Sequence, residues 1–249
     1  MGDFASTISP RTRLAIAVLG AVAVALVVAA ITPELVLALG MSGTIPVYSA
    51  NIHEREVALT LDDGPSPQYT PEILAVLRTY HAHATFFVMG AAAQANPGLV
   101  KQEIADGNEV GVHAFDRHVR FTTISKTAAG KQIDGGKDAV VDVTGDRPAL
   151  FRPPYGVWRP WVLAEAAKRD LRTILWSVCF DHRSTKTPKA VASRVLSLAK
   201  PGEILLLHDA RGDRRKAVGA LPLVLRGLEA RGYKVVTVSQ LLANAAAGK

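Results

Sequence analysis

The residues best suited to chemistry sit at the ends of short apolar runs. Asp62 and Asp63 close the run Glu56–Leu61 and are followed by Gly64-Pro65. Neighbouring residues of a strand point to opposite faces, but a Gly-Pro turn can bring both carboxylates into one pocket. There they can divide labour, one holding a metal and the other taking a proton. For the pair alone, a solvated turn is the simpler reading. His113 ends another run, and His118 follows five residues on. Neutral imidazole is a common zinc ligand. Asp63, His113 and His118 would supply three protein ligands and leave a position for water, as catalytic rather than structural zinc sites do. For the histidines in isolation, two unrelated surface residues is again simpler.

Phe151-Arg152-Pro153-Pro154-Tyr155-Gly156 is a rigid loop, with two prolines fixing the backbone and Gly156 allowing a sharp turn. Such a loop can aim a main-chain N–H at a developing oxyanion. Tyr155 is the candidate, because neither proline has an N–H, and Arg152 could hold a carboxylate. A purely structural turn is the alternative. His208-Asp209 follows four apolar residues, Ile204 to Leu207. A histidine there is expensive to bury without a role or a partner; it is either a general acid or a satisfied core residue. His53, His81, His83 and His182 are read as structural or surface positions. Arg211-Gly-Asp-Arg214-Arg215-Lys216 places four cations after His208. They could read a carboxylate or phosphate on a substrate, such as a lactyl group or a polyprenyl phosphate, although a solvated loop is preferred.

These groups need elements to position them. Strand-type runs are Glu56–Leu61, Ala84–Val88, Glu109–His113, Ala149–Phe151, Arg172–Val178, Glu203–Leu207 and Tyr233–Val238. Helical stretches between them are Thr70–Tyr80, Pro97–Asp106, Lys126–Val143, Pro160–Arg169, Pro188–Ala199 and Lys216–Arg231. Strands alternating with helices predict parallel pairing and an α/β fold. About seven such units suggest a closed or nearly closed barrel with chemistry at the strand ends; a flat doubly wound sheet is the alternative. The loop TLDDGPSP lacks a dinucleotide glycine pattern, which weakens nicotinamide and flavin readings.

The 249 residues are 49% hydrophobic and 20% charged, which excludes a disordered chain. A single cysteine, Cys179, excludes an intrachain disulfide framework and a cysteine-based zinc finger. Leu14 to Ile31 is an unbroken apolar run behind Arg11 and Arg13. It predicts a transmembrane signal anchor over 14–37, or a signal peptide, with the short segment 1–13 cytoplasmic. Residues 38–54 are expected to be a linker and 55–245 the exported domain, at the cell membrane or secreted if the signal is cleaved. Residues 1–49 are neutral, so the whole net charge of +7 lies beyond them. A basic exported domain suits an anionic matrix such as a cell wall. Nucleic acid is not expected, because no basic stripe with interleaved aromatics is present. The oligomeric state is left open.

Taken in order, the motifs resemble those of the NodB-type polysaccharide deacetylases, carbohydrate esterase family four, over roughly residues 55–245. Thr60-Leu61-Asp62-Asp63-Gly64-Pro65 resembles T-F-D-D-G-P, and Ala84-Thr85-Phe86-Phe87 matches A-T-F-F. Gly107 to His113 resembles G-H-E-I-G-N-H, Arg152 to Gly156 matches R-P-P-Y-G, and Leu206 to Asp209 matches L-L-H-D. The resemblance implies a deformed (β/α) barrel of about seven strands, with a divalent metal, zinc before cobalt, nickel or manganese. The implied reaction is hydrolysis of N-acetyl groups on amino sugars of a cell-envelope polysaccharide, peptidoglycan or chitin-like. The implied roles are metal ligation by Asp63, His113 and His118, and general base for Asp62 oriented by Arg152. Tyr155 would stabilise the oxyanion, His208 would be the general acid tuned by Asp181, and Trp176 and Leu206 would wall the acetyl methyl.

Two departures stand out. The family spaces its metal histidines four apart, whereas His113 and His118 are five apart. On a helix that turns them about 140° from each other, so either a loop absorbs the extra residue or Asp116 supplies an oxygen instead. The motif W-x-V-D-x-x-D-W here reads Trp176-Ser-Val-Cys179-Phe-Asp181-His182. Two rival readings are a deacylase of a lipid-linked amino sugar and a catalytically inactive glycan-binding domain.

Overall fold

The computed structural model describes residues 45–116, 119–181 and 184–248. The expected membrane segment 14–37, His118 and His182 lie outside them. Among the described residues no helix is long and apolar enough to cross a membrane.

Strand β1 (Glu56–Asp62) is buried along its whole length, as a parallel strand covered on both faces must be. The elements that follow are α1 (Thr70–Thr79), β2 (Ala84–Met89), α2 (Gly90–Ala95), α3 (Pro97–Ala105) and β3 (Glu109–Ala114). Then come α4 (Lys126–Thr144), β4 (Leu150–Phe151), α5 (Pro160–Ala167), β5 (Arg172–Thr173) and β6 (Val178–Cys179). The domain ends with α6 (Pro188–Leu198), β7 (Ile204–His208), α7 (Arg215–Glu229), β8 (Lys234–Val236) and α8 (Val238–Ala246).

The ladder runs β5-β4-β3-β2-β1-β7-β6, with β8 beside β1, and its pairs are parallel. This nearly sequential order makes a seven-strand half-barrel. It lacks the central reversal of strand order that marks a doubly wound sheet.

Strand faces divide cleanly. Val57, Leu59 and Leu61 of β1 pack outward with Leu74 and Leu77 of α1 and Leu221 and Leu225 of α7. The alternate residues Thr60 and Asp62 face inward, where both meet Arg152. Phe87 of β2 also faces this interior, with the Arg152 guanidinium 4.2 Å from its ring centroid. Opposite it, β3 carries Gly111, where a Cβ would lie 2.8 Å from the Phe87 ring. A larger residue there would overpack the interior.

The run expected as one strand, Arg172–Val178, is two. β5 pairs with β4 and β6 pairs with β7, so the chain changes partner between Thr173 and Val178. A single ladder cannot continue through such a switch. The Arg152 side chain replaces the missing strand, donating from Nε to the Ile174 carbonyl (3.2 Å) and from Nη2 to the Leu175 carbonyl (2.9 Å). Residues of the expected linker join the same place: Val47 bridges Ile174 and Ser49 bridges Glu203.

Two helices were not expected from the sequence. α2 follows β2 with no turn residue between them. α8 begins inside the run read as strand to Val238. There Thr237 accepts a hydrogen bond from the Gln240 N–H (3.2 Å) and caps the helix, a signal that outweighs the β-branched residues before it.

Candidate active site

The carboxyl ends of β1, β3, β4, β6 and β7 meet on one side of the barrel. Asp62 is the last residue of β1 and stands in register with His208 at the end of β7. Asp63 has already left the strand, with φ 77°. The left-handed backbone at Asp63 lets consecutive side chains serve one pocket. His113 Nε2 lies 3.6 Å from Asp63 Oδ1 and 4.0 Å from Asp62 Oδ2. All three residues are buried.

The tautomer of His113 follows from its other nitrogen. Nδ1 lies 2.7 Å from the Arg152 carbonyl oxygen, which can only accept, so Nδ1 carries the proton. Burial lowers the His113 pKa against the opposing charges of Asp62 and Asp63, which keeps the ring neutral. Nε2 then presents a lone pair toward two carboxylates. The convergence of acceptors at distances longer than a hydrogen bond fits a cation held between them, and nitrogen and oxygen donors suit zinc. The third expected ligand, His118, lies outside the described residues. His113 itself is on a strand and Phe115–Asp116 form a bend, so the helical rotation between the two histidines does not apply. Asp116, the alternative oxygen donor, is exposed, and its carboxylate accepts from Gln132 Nε2 (2.7 Å).

Arg152 is fully buried, and each of its three side-chain nitrogens donates a hydrogen bond. Besides its two carbonyl partners, Nη1 donates to Asp62 Oδ1 and Thr60 Oγ1, both at 2.7 Å. Burying a guanidinium is tolerable only with this kind of satisfaction. The result fixes one Asp62 oxygen and leaves Oδ2 facing the pocket.

Tyr155 follows in a short 3-10 turn, Pro154–Gly156, at φ 63°. Trp176 packs beneath this turn, since a Cβ on Gly156 would lie 2.5 Å from its indole. The Arg152 guanidinium lies 5.6 Å from the Trp176 ring centroid. Leu206, in register with Thr60, is buried on the β7 side. His208 Nδ1 donates to Asp181 Oδ2 (2.8 Å), and Arg214 Nη1 donates to the same oxygen (3.0 Å). Burial pushes the Asp181 carboxyl up. The His208 hydrogen bond and the charges of His208, Arg214 and Lys216 outweigh it, so Asp181 is held below the usual carboxylate range. His208 is thereby oriented with Nε2 free.

Several residues here had no assigned role. Thr60 helps hold Arg152, and Arg214 holds Asp181. Asp209 is buried beside the pair of aspartates. Thr70 Oγ1 donates to its Oδ2 (2.5 Å), while Oδ1 has no partner. Burial, reinforced by the charges of Asp63 and Asp62, pushes Asp209 up to about 7 against the Thr70 hydrogen bond. Its place after His208 was legible; its burial was not.

The family profile of the polysaccharide deacetylases matches residues 49–174. The peptidoglycan-N-acetylglucosamine deacetylase of Bacillus cereus is 39% identical over 192 residues, 76% of this chain and 89% of that protein. The peptidoglycan-N-acetylmuramic acid deacetylase PdaC of Bacillus subtilis is 37% identical over 189 residues, 76% of this chain but only 39% of that protein. Its solved structure matches with a TM-score of 0.71 at 34% identity, over 78% of this chain and 93% of the solved one. A carbohydrate esterase family four pseudoenzyme from Bacillus anthracis matches with a TM-score of 0.74 at 27% identity, over 81% of this chain and 70% of that one. The chain belongs to the polysaccharide deacetylase family.

Proposed function

We propose that this protein is a metal-dependent deacetylase that hydrolyses N-acetyl groups on amino sugars of peptidoglycan. The observation that carries the reading is the convergence of His113 Nε2, presented without its proton, with the Asp62 and Asp63 carboxylates at 3.6–4.0 Å, beside a His208 held through Nδ1 by Asp181. Asp63 and His113, with His118, would hold the metal, zinc by its donor set. That ion would supply Lewis-acid polarisation of the acetamide carbonyl and a more acidic water.

The chain's own residues do the remaining work. Asp62 Oδ2 takes the proton of the attacking water, while Arg152 holds Oδ1. The rigid Tyr155 turn offers its main-chain N–H to the oxyanion. His208 protonates the departing sugar amine, oriented by Asp181. Trp176 and Leu206 bound the space for the acetyl methyl. The apolar run behind Arg11 and Arg13 supports placing the domain outside the cytoplasmic membrane.

The pseudoenzyme among the relatives makes a glycan-binding reading the rival. Joint retention of Asp62, Asp63, His113, Arg152 and His208 weighs against it. Acetate release from N-acetylated peptidoglycan by the full zinc-loaded chain tests the choice. Release that is abolished by chelation and by His208→Ala is expected; glycan binding without any acetate release would overturn the proposal.

A further inference from the structure

The cation-rich stretch after His208 divides unequally. Arg214 is spent on Asp181 and on the Ala210 carbonyl (2.8 Å). Arg215 pairs with its exposed neighbour Asp213, and Lys216 donates to the Thr185 carbonyl (2.9 Å). Arg211 alone turns into the pocket. It donates from Nη1 to Asp63 Oδ1 (3.3 Å) and from Nη2 to the Tyr155 hydroxyl (3.2 Å).

Three further observations single it out. Five non-glycine residues have positive φ among the described residues, and two of them, Asp63 and Tyr155, both contact a third, Arg211. Backbone strain gathered at one place is typical of a binding or catalytic site. Second, the Arg211 and Arg120 guanidiniums lie 5.0 Å and 4.8 Å from the Tyr155 ring centroid, and Tyr155 is 38% exposed. Third, Arg120 has no acidic partner among the described residues. The Arg211–Asp63 contact is longer than a charge-assisted hydrogen bond of about 2.7–2.9 Å. It competes with whatever else Asp63 holds. Two cations around one exposed ring, one weakly paired and one unpaired, make a receptor for an anion.

We propose that Arg211 and Arg120 bind a carboxylate carried by the substrate beside its acetamide, so that a muramic-acid-type sugar is preferred over neutral N-acetylglucosamine. The inference rests on the deacetylase reading. Contact with Asp63, one of the residues that would work on the acetamide, favours an anion borne close to the N-acetyl group. A lactyl ether carboxylate meets that condition, and a guanidinium receives it bidentately. An anomeric phosphate is another oxyacid borne close to that group.

The test uses the full zinc-loaded chain and calorimetric binding of N-acetylmuramic acid, N-acetylglucosamine and N-acetylglucosamine 1-phosphate. Acetate release from glycans of the first two kinds accompanies it. N-acetylmuramic acid should bind about tenfold tighter than N-acetylglucosamine, the size of one charge-assisted contact. Arg211→Gln should reduce that ratio to about twofold or less, Arg120→Gln should reduce it in part, and Arg211→Lys should retain some of it. Equal affinities, or a ratio unchanged in Arg211→Gln, overturn the inference while acetate release keeps the deacetylase reading. An Arg211-dependent advantage found only with the 1-phosphate also overturns it, in favour of phosphate. Acetate release from neither glycan overturns both.

Discussion

The floor of the site and its rim are built on different principles. On the floor, Thr60, Asp62, His113 and Arg152 are buried. Most of their partners come from strand register or main-chain carbonyls. On the rim, Asp181, His208, Arg211, Arg214 and Tyr155 lie at strand ends and in loops and are partly exposed. Their partners are mainly other side chains. The floor therefore couples folding to chemistry, since a lost partner leaves a buried charge. The rim separates the two, since water can replace a lost partner.

Arg152→Met should break the floor most severely. It strands the Asp62 carboxylate and orphans the Ile174 and Leu175 carbonyls where the strand changes partner. Breaking a buried ion pair costs about 3–5 kcal/mol, so both Tm and activity should collapse, measured by thermal melts and acetate release. Arg152→Lys should not rescue, because an ammonium cannot make the fork.

Asp62→Asn sharpens the contrast within the floor. The amide oxygen still accepts from Arg152, but the buried guanidinium loses its counter-charge, so the melt should fall, by less than for Arg152→Met. Acetate release should fall about 10²- to 10⁴-fold, the usual worth of a general base. Asp181→Asn tests the rim. Turnover should drop about tenfold to a hundredfold as the charged carboxylate that holds His208 becomes a neutral amide. Stability should fall less than for Arg152→Met, read by chemical denaturation beside the kinetics.

The smallest effect concerns a buried group outside both regions. Glu103 of α3 is fully buried and neither carboxylate oxygen has a partner. Burial, with the charge of Asp209, pushes its pKa well above the ordinary 4.5. A group that holds its proton more tightly when folded stabilises fully below about pH 4.5. That contribution disappears as the pH rises through the folded value. Stability should decline with rising pH above 4.5, and Glu103→Gln should flatten the decline in urea titrations run from pH 4.5 to 8.

Much of the site was legible because strand chemistry is local. Asp62-Asp63 before Gly-Pro, His113 and His208 after apolar runs, and Arg152 before two prolines were each visible in their own segments. Helices α1, α3, α4, α5, α6 and α7 fall in the stretches between strand runs, and α1, α3, α5 and α6 open on a proline in their first turn. Less visible was anything decided by a distant partner. The run Arg172–Val178 carries a uniform strand pattern, yet it divides because its first part pairs with β4 and its last with β7. Nothing in residues 210–216 distinguishes Arg211 from Arg214, Arg215 and Lys216. They separate only where Asp63 and Tyr155 approach from one side and Asp181 from the other.

The sequence by itself determined which side chains are available, in what order they arrive at strand ends, and which family they belong to. Periodicity and turn chemistry are written over a few consecutive residues. Only the tertiary structure decided that Arg152 serves as both a sheet element and an aspartate clamp. It also decided that His113 presents Nε2 to the aspartates, and that Arg211, one of four cations in its stretch, reaches Asp63 and Tyr155. Those assignments depend on burial and on hydrogen bonds between residues far apart in sequence. Such contacts exist only once the barrel has curled.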